Sequence, residues 1–351
     1  MSTQELSAIG YDNKSPKFNG NNYAWWKNRI QNVIMGIDYE CWLVVKNGPN
    51  IILKTDVEGN QVPKKDSELV IADYKLLEKN AKAMSILQQA IGRLGTTYAA
   101  VLDKDELVVA KRIYPWLVLS KAGLGFQSVI KSLSLAQHPN IVPILGFSEA
   151  PGERIILMEY VDTMSLDFYL HQHVDGPSLL GWSQRLKIAA GIARGVEYLH
   201  EKMAPQVVHG CVKPSNVLVD VEFCPKLCDY GLSFLASKNE KMGLLGYVDE
   251  EYWLEGKSGG ACKESDVYGI GVVLLELLTG KRNEGGLLVG WVLPLIKEMR
   301  YSEFLDPRIE IPSNMKPIVR LGKVALACVG NSRKTRPKIT QIVSILDSLD
   351  D

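Results

Sequence analysis

The stretch His209-Gly210-Cys211-Val212-Lys213-Pro214-Ser215-Asn216 decides how the chain is read. Downstream of it come Asp229-Tyr230-Gly231, then Gly246-Tyr247 with Glu251, then Ser265-Asp266-Val267-Tyr268-Gly269. Upstream, Gly92-Arg93-Leu94-Gly95-Thr96-Thr97-Tyr98 precedes a strand-like run from Tyr98 to Leu102, and Val108-Val109-Ala110-Lys111 reads as a strand ending in a lysine. His138-Pro139-Asn140-Ile141-Val142 reads as the start of another apolar strand, and Met158-Glu159-Tyr160-Val161 as a strand leading into a polar connection. Alone, each motif is weak, since a glycine pair is usually just a turn. Their order and spacing are what carry information. The pattern is strand-rich after residue 95 and helical from about Ser183.

In this order the motifs resemble a protein kinase domain, most of all the cytoplasmic domain of plant receptor-like kinases. The phrases Arg185-Leu186-Lys187-Ile188-Ala189, Tyr198-Leu199-His200-Glu201 and Lys213-Pro214-Ser215-Asn216 carry the likeness to that subgroup. The resemblance implies an α+β, bilobal protein-kinase fold over residues 91–351. The strand-rich small lobe would span 91–161 and the helical large lobe 162–351, with nucleotide between them.

Phosphoryl transfer needs charge neutralisation on the phosphates, metal ligands and a group that orients the attacking hydroxyl. The resemblance places Lys111 and Lys213 on the phosphates and Asn216 and Asp229 on the metal, so ATP with Mg or Mn is the implied cofactor. Gly92 and Gly95 fall on the glycine loop, Thr97, Val109 and Leu218 around the adenine, and Met158, Glu159 and Val161 on the connection between lobes. His209, Tyr230 and Leu133 match an apolar column joining the lobes, and Asp266 matches a buried carboxylate holding the His209 backbone. Glu251 would pair with Arg336. Read one at a time, the polar residues are ordinary solvated side chains; together they all fall on motif positions.

The departures from the pattern cluster on catalysis. Cys211 stands where the family places its catalytic aspartate. A thiol of ordinary pKa about 8.5 is mostly protonated at pH 7 and accepts hydrogen bonds weakly, so it cannot orient a hydroxyl as a carboxylate does. Val129 stands at the helix glutamate that should pair with Lys111, leaving the ammonium free to swing or to lose charge on burial. Gly210 replaces an arginine, Leu244 the loop threonine, and Asp249-Glu250 the Ala-Pro before Glu251. Ala90 replaces the first loop glycine, and Val109 a smaller alanine. The expectation is a pseudokinase that acts by nucleotide binding and protein–protein regulation, with a kinase or receptor complex as partner. The alternative is a weakly or atypically active Ser/Thr kinase using Lys111, Lys213, Asn216 and Asp229.

Residues 1–90 read differently. Asn21–Gly36 is expected to be an amphipathic helix with Trp26, Ile30, Val33 and Ile34 on one face, followed by turn signals at Asn47-Gly48-Pro49-Asn50 and Glu58-Gly59-Asn60. A second helix is expected from about Asp73 to Ile91, yielding near Gln88 to a short first strand of the small lobe. Lys17-Phe18-Asn19-Gly20-Asn21-Asn22-Tyr23 with Trp26, Asp38-Tyr39-Glu40 with Trp42, and Asn80-Ala81-Lys82-Ala83-Met84 resemble the N-terminal part of copia-type retrotransposon gag over residues 16–91. The implied role is a small helical assembly segment, and a capsid-like assembly protein carrying a passenger domain is a third reading. No zinc knuckle accompanies it, and 11 basic residues face 10 acidic ones in this region.

Across the 351 residues, 40 Lys+Arg balance 40 Asp+Glu, which gives no bulk attraction for nucleic acid or anionic lipid. Six cysteines without paired spacing read as reduced thiols, those at Cys224 and Cys228 as buried ones. No apolar run reaches a membrane span and no signal segment opens the chain, so the expected location is cytoplasmic, with the plasma membrane reached through a partner.

Overall fold

The computed structural model describes residues 53–55, 61–63, 91–92, 94–101, 107–114, 117, 125–150, 153–161, 163–171, 178, 180–235, 243–254 and 260–349. The chain divides into two compact units, Met1–Tyr114 and Pro115–Asp351.

In the first unit, β1 (Leu53–Thr55) pairs antiparallel with β2 (Gln61–Pro63), Thr55 opposite Gln61. The turn signal Glu58-Gly59-Asn60 lies outside the described residues. Next, β3 (Ile91–Gly92), β4 (Gly95–Val101) and β5 (Leu107–Ile113) form an antiparallel meander. Gly95 sits opposite Ile113, where a side chain would run into the Arg112 carbonyl, so the close approach of β4 and β5 itself requires glycine. Ile91 is extended and paired with Thr96. Ile91–Gly92 is thus a short first strand following the point near Gln88 where the helix is expected to yield. The remainder of that helix, the 21–36 helix and Ala90 lie outside the described residues.

The second unit opens with α1 (Phe126–Leu133), which buries Phe126, Ile130 and Leu133 at helical spacing. Then come the antiparallel hairpin β6 (Ile144–Ala150) and β7 (Glu153–Glu159). The strand expected from His138 thus begins only at Ile144; Pro139 and Asn140 make a turn, and Ile141 bridges Leu227. A small three-stranded sheet follows the order β10–β9–β8, with β8 Met164–Ser165, β9 Val217–Val219 and β10 Pro225–Leu227. Of these, β9 and β10 interrupt the region expected to be helical from Ser183.

The helices of this unit are α2 (Leu166–His171), α3 (Trp182–Glu197), α4 (Lys263–Thr279), α5 (Leu287–Lys297), α6 (Lys316–Cys328) and α7 (Ile339–Asp347). Gly191 and Gly195, one turn apart on α3, let it lie directly on β10: a Cβ at Gly191 would meet Pro225 Cγ at 2.5 Å, and one at Gly195 the Leu227 side chain at 2.8 Å. From Gly269 to Leu278 the α4 helix is buried on all sides and apolar but for Glu276, as a helix inside the core must be. Its start is fixed by a reciprocal cap in which Cys262 Sγ accepts from Ser265 N–H and Ser265 Oγ from Cys262 N–H. At Gly269, α4 approaches the Val212 carbonyl so closely that a Cβ would sit 2.8 Å from it. The long central helix is therefore the platform for the 209–216 loop. Among the described residues no helix is long and apolar enough to cross a membrane.

Candidate active site

The loop is hung from the first turns of α4. Asp266, 1% exposed, accepts the His209 N–H at Oδ2 and the Gly210 N–H at Oδ1, both at 2.7 Å. His200 Nε2 lies 2.8 Å from the same Oδ2. A carboxylate this near a helix N-terminus is favoured by the helix dipole and by its two backbone donors. The paired His200, and His171 with its Nε2 2.7 Å from buried Glu276, are therefore interior partners of carboxylates. Burial pushes the His209 imidazole below its ordinary pKa, against the attraction of Asp266.

Gly210 adopts φ +82, a conformation in which L side chains are strained, and a Cβ there would meet Ser233 at 2.8 Å. The glycine is a requirement of this loop geometry and not merely a missing arginine. Nothing in the motif reading signalled this.

A single 3₁₀ turn, Pro214–Asn216, leads from the loop into β9. The hairpin of β9 and β10 then returns the chain so that the Cys228 N–H donates to the Asn216 carbonyl at 2.9 Å, which places Asp229 beside Asn216. The Asn216 amide nitrogen donates to the Cys211 carbonyl at 2.9 Å, leaving its oxygen as the ligand-type atom. Asp229 holds φ +61, the kind of backbone strain that clusters at functional sites. One carboxylate and one amide oxygen are the hard donors that Mg or Mn takes, so the pair fits the implied metal.

Cys211 faces in another chemical direction. It is 7% exposed and packs in one apolar cluster with Leu244, Val248 and Tyr252. Its sulfur lies 3.9 Å from the Gly243 carbonyl, and Lys213 Nζ donates to that same carbonyl at 3.0 Å.

The column positions are buried: Leu133, His209 and Tyr230 are each 2% exposed or less, and the Tyr230 hydroxyl donates to the Val142 carbonyl at 2.9 Å. The expected Glu251–Arg336 pair is not formed. Arg336 instead meets Asp249 at 2.6 Å, joined there by Arg333 at 2.8 Å, while Glu251 accepts the Arg333 backbone N–H. Asp249 caps the turn at Tyr252 N–H from a site where both guanidiniums converge, so the shorter carboxylate two residues upstream takes the arginine. Burial pushes the Asp249 carboxyl up, but hydrogen bonds from Arg333 and Arg336 outweigh it and hold the group below the usual carboxylate range.

In the first unit, Thr97 lies opposite Lys111, and Val109 is two residues along β5, so the three share one sheet face. Lys111 is 3% exposed, which rules out an ammonium swinging in solvent. Gly92 pairs with Gly95 at the β3–β4 turn. In the second unit, Met158 and Val161 are buried, Glu159 is exposed with its N–H on the Pro143 carbonyl, and Leu218 is half-buried in β9. None of the five described cysteines is in a disulfide, and Cys224 and Cys228 are half-buried rather than buried.

Motif reading missed the network around Glu276. This carboxylate, wholly buried, accepts from the Tyr247 hydroxyl at 2.6 Å and from the Asn283 N–H at 3.0 Å in addition to its His171 contact. A lone glutamate inside the apolar run Tyr268–Leu278 was the available signal, since a buried charge must be paired.

The profile of the protein tyrosine and serine/threonine kinase family matches residues 90–346. The chain is 38% identical to phytosulfokine receptor 1 of Arabidopsis thaliana over 271 residues, covering 74% of this chain and 26% of the receptor. It is 34% identical over 315 residues to the probable serine/threonine-protein kinase PBL6 of Arabidopsis thaliana, covering 84% of this chain and 72% of that protein. Against the first receptors it matches, the chain spans a quarter of their length or about that. Among solved structures, the kinase domain of maize SIRK1 bound to AMP-PNP superposes with a TM-score of 0.65 at 33% identity, over 74% of this chain and 91% of that one. The pseudokinase domain of BIR2, an immune regulator of the RLK/Pelle family, gives 0.63 at 28% identity, over 88% and 92%. Both the strand-rich and the helical lobe of the protein kinase fold are present, and the chain belongs to the protein tyrosine and serine/threonine kinase family, in its plant receptor-like kinase branch.

Proposed function

We propose that this receptor-like kinase domain is a pseudokinase: it grips a metal-nucleotide and regulates a partner kinase or receptor complex without transferring phosphate at an enzymatic rate. One observation carries the reading. The residue at the base position, Cys211, is a thiol packed among Leu244, Val248 and Tyr252, so no side chain there can orient an acceptor hydroxyl. Lys213 and the Asn216 and Asp229 pair joined through the β9–β10 hairpin support a metal-nucleotide grip in the second unit, and Lys111 is the phosphate lysine this reading expects of the first. SIRK1, a relative at 33% identity, was solved with AMP-PNP, which supports ATP with Mg or Mn as the ligand. BIR2 supports a regulatory role for a domain that has lost catalysis.

The kinase-like domain is taken as 91–351, with 1–90 a gag-like segment joined to it that carries the β1–β2 hairpin and so is not helical throughout. Its setting is the cytoplasm, with recruitment to the plasma membrane through the partner. Nucleotide would act by linkage, stabilising the lobes that bind it.

The experiment is a pair of assays on the full chain. In thermal denaturation, ATP–Mg at a hundred times its Kd stabilises by about 2.7 kcal/mol, and Asp229→Asn loses that gain. With radiolabelled ATP and Mg or Mn, no peptide is phosphorylated at an ordinary rate. Robust transfer that Asp229→Asn abolishes would show a working Ser/Thr kinase instead.

A further inference from the structure

We infer that the exposed face of α5 is a surface for self-association. A second copy of this chain docks there antiparallel, about a twofold axis passing between Gly290 and Trp291. Docking of this kind does not depend on whether the domain transfers phosphate. The helix carries no charged residue before Lys297 and nothing more polar than Trp291, yet only Leu288, Val292 and Ile296 are buried, one stripe at i, i+4 and i+8. The other side presents Leu287, 77% exposed, Gly290, Trp291, 40% exposed, and Pro294, at i, i+3, i+4 and i+7. A surface helix ordinarily turns polar residues to water, and one that is apolar all round is covered all round. An apolar stripe left bare marks a face that something covers.

The order of residues along the stripe is complementary to itself. Parallel helices would set Trp291 on Trp291 and Glu284 beside Glu284. An antiparallel twofold pair instead sets each Leu287 on Pro294 of the second copy, and each Trp291 over Gly290 of the second copy. At Gly290 a Cβ would meet nothing within 4 Å, so the bulkiest residue of the stripe falls on the one with most room. Lys281 Nζ lies 4.4 Å over the Trp291 ring and holds it in place. Hydrogen bonding fits the same register. The Trp291 indole N–H has no acceptor among the described residues, and the Gly290 carbonyl lacks its helical donor because residue 294 is proline. These two groups meet across the axis. Charge fits it as well: Glu284, just before the helix, faces Lys297 at its end, once on each side of the axis. Both side chains are exposed, and neither is in an ion pair among the described residues.

The test is sedimentation velocity of the full chain at pH 7 and low salt, over a concentration series reaching about 100 µM. The parent shifts from monomer to dimer across the series. Gly290→Glu puts a charge on the axis, at a position with room for it, and weakens association at least about tenfold while its urea midpoint does not fall. Glu284→Lys and Lys297→Glu each bring like charges together on both sides of the axis, and each weakens association about threefold or more. An equimolar mixture of these two variants re-forms both ion pairs and dimerises as tightly as the parent, as does the double variant E284K/K297E. A parent that stays monomeric throughout the series overturns the proposal. So does association, of whatever size, that Gly290→Glu leaves unchanged, and so does a mixture no tighter than its separate components. If Gly290→Glu does not fold, the mixture decides.

Discussion

Gly210 and Asp249 occupy positions where the family pattern has other residues, and each has been absorbed into the local geometry. At Gly210 the backbone is left-handed and Ser233 fills the space a side chain would take. Gly210→Arg, which puts back the family residue, should lower stability by about 2 kcal/mol or more through backbone strain and displacement of Ser233. Urea unfolding measures this; an unchanged midpoint would mean the loop relaxes freely. At Asp249 two guanidiniums share one carboxylate that is almost fully buried. Asp249→Ala leaves Arg336 buried without its anion and should cost about 3 to 5 kcal/mol in the same assay, whereas Glu251→Ala should cost about 1, since Glu251 accepts only a backbone N–H. Equal losses from the two would restore the Glu251–Arg336 pairing that the motif suggested.

The elements follow the same division between what a pattern states and what packing decides. The place of Lys111 on β5 and the Asp266 anchor of the 209–216 loop were legible through the family resemblance, because that resemblance rests on residue types at fixed spacing, and spacing survives in a linear chain. The β8–β10 sheet was not readable: its strands are two and three residues long, too short for an alternating signal. The Glu276 network was hidden for a different reason, since its members come from α2, α4 and the 243–248 and 280–288 segments, which only the fold brings together. That network ties the segment to α4, so its removal should be felt as a unit. Glu276→Ala orphans the Tyr247 hydroxyl, the His171 imidazole and the Asn283 N–H, and should cost about 3 kcal/mol or more, while Tyr247→Phe, which deletes one donor to a charged acceptor, should cost about 1.5 to 3. A double variant no worse than Glu276→Ala alone would show that Tyr247 acts through that carboxylate.

At the scale of the whole molecule, the formal charge of +0 means that self-repulsion is not what limits stability near neutrality, so the pH dependence should follow individual buried groups. Burial holds His209 and the half-buried His138 below their ordinary pKa, His138 with a further push from Arg194. The unfolded chain then binds protons that the folded one refuses, and stability must fall as pH drops below about 6.5, by at most about 1.4 kcal/mol per pH unit for each histidine. Asp167, pushed up by burial against the pull of Arg282, takes its proton earlier when folded and partly offsets this fall above pH 4. Below about pH 4 the sign is again unfavourable. Asp249 and Asp306 are held down by their arginines against burial, so the stability they add at neutral pH is lost as the solution acidifies through their depressed values. Unfolding free energy measured from pH 7.5 to 3 should therefore decline in two stages. His209→Asn should flatten the upper stage, whatever its effect on the absolute value, and Asp249→Asn should flatten only the lower. A single fall confined to the region below pH 4 would show that His209 takes up its proton within the folded state.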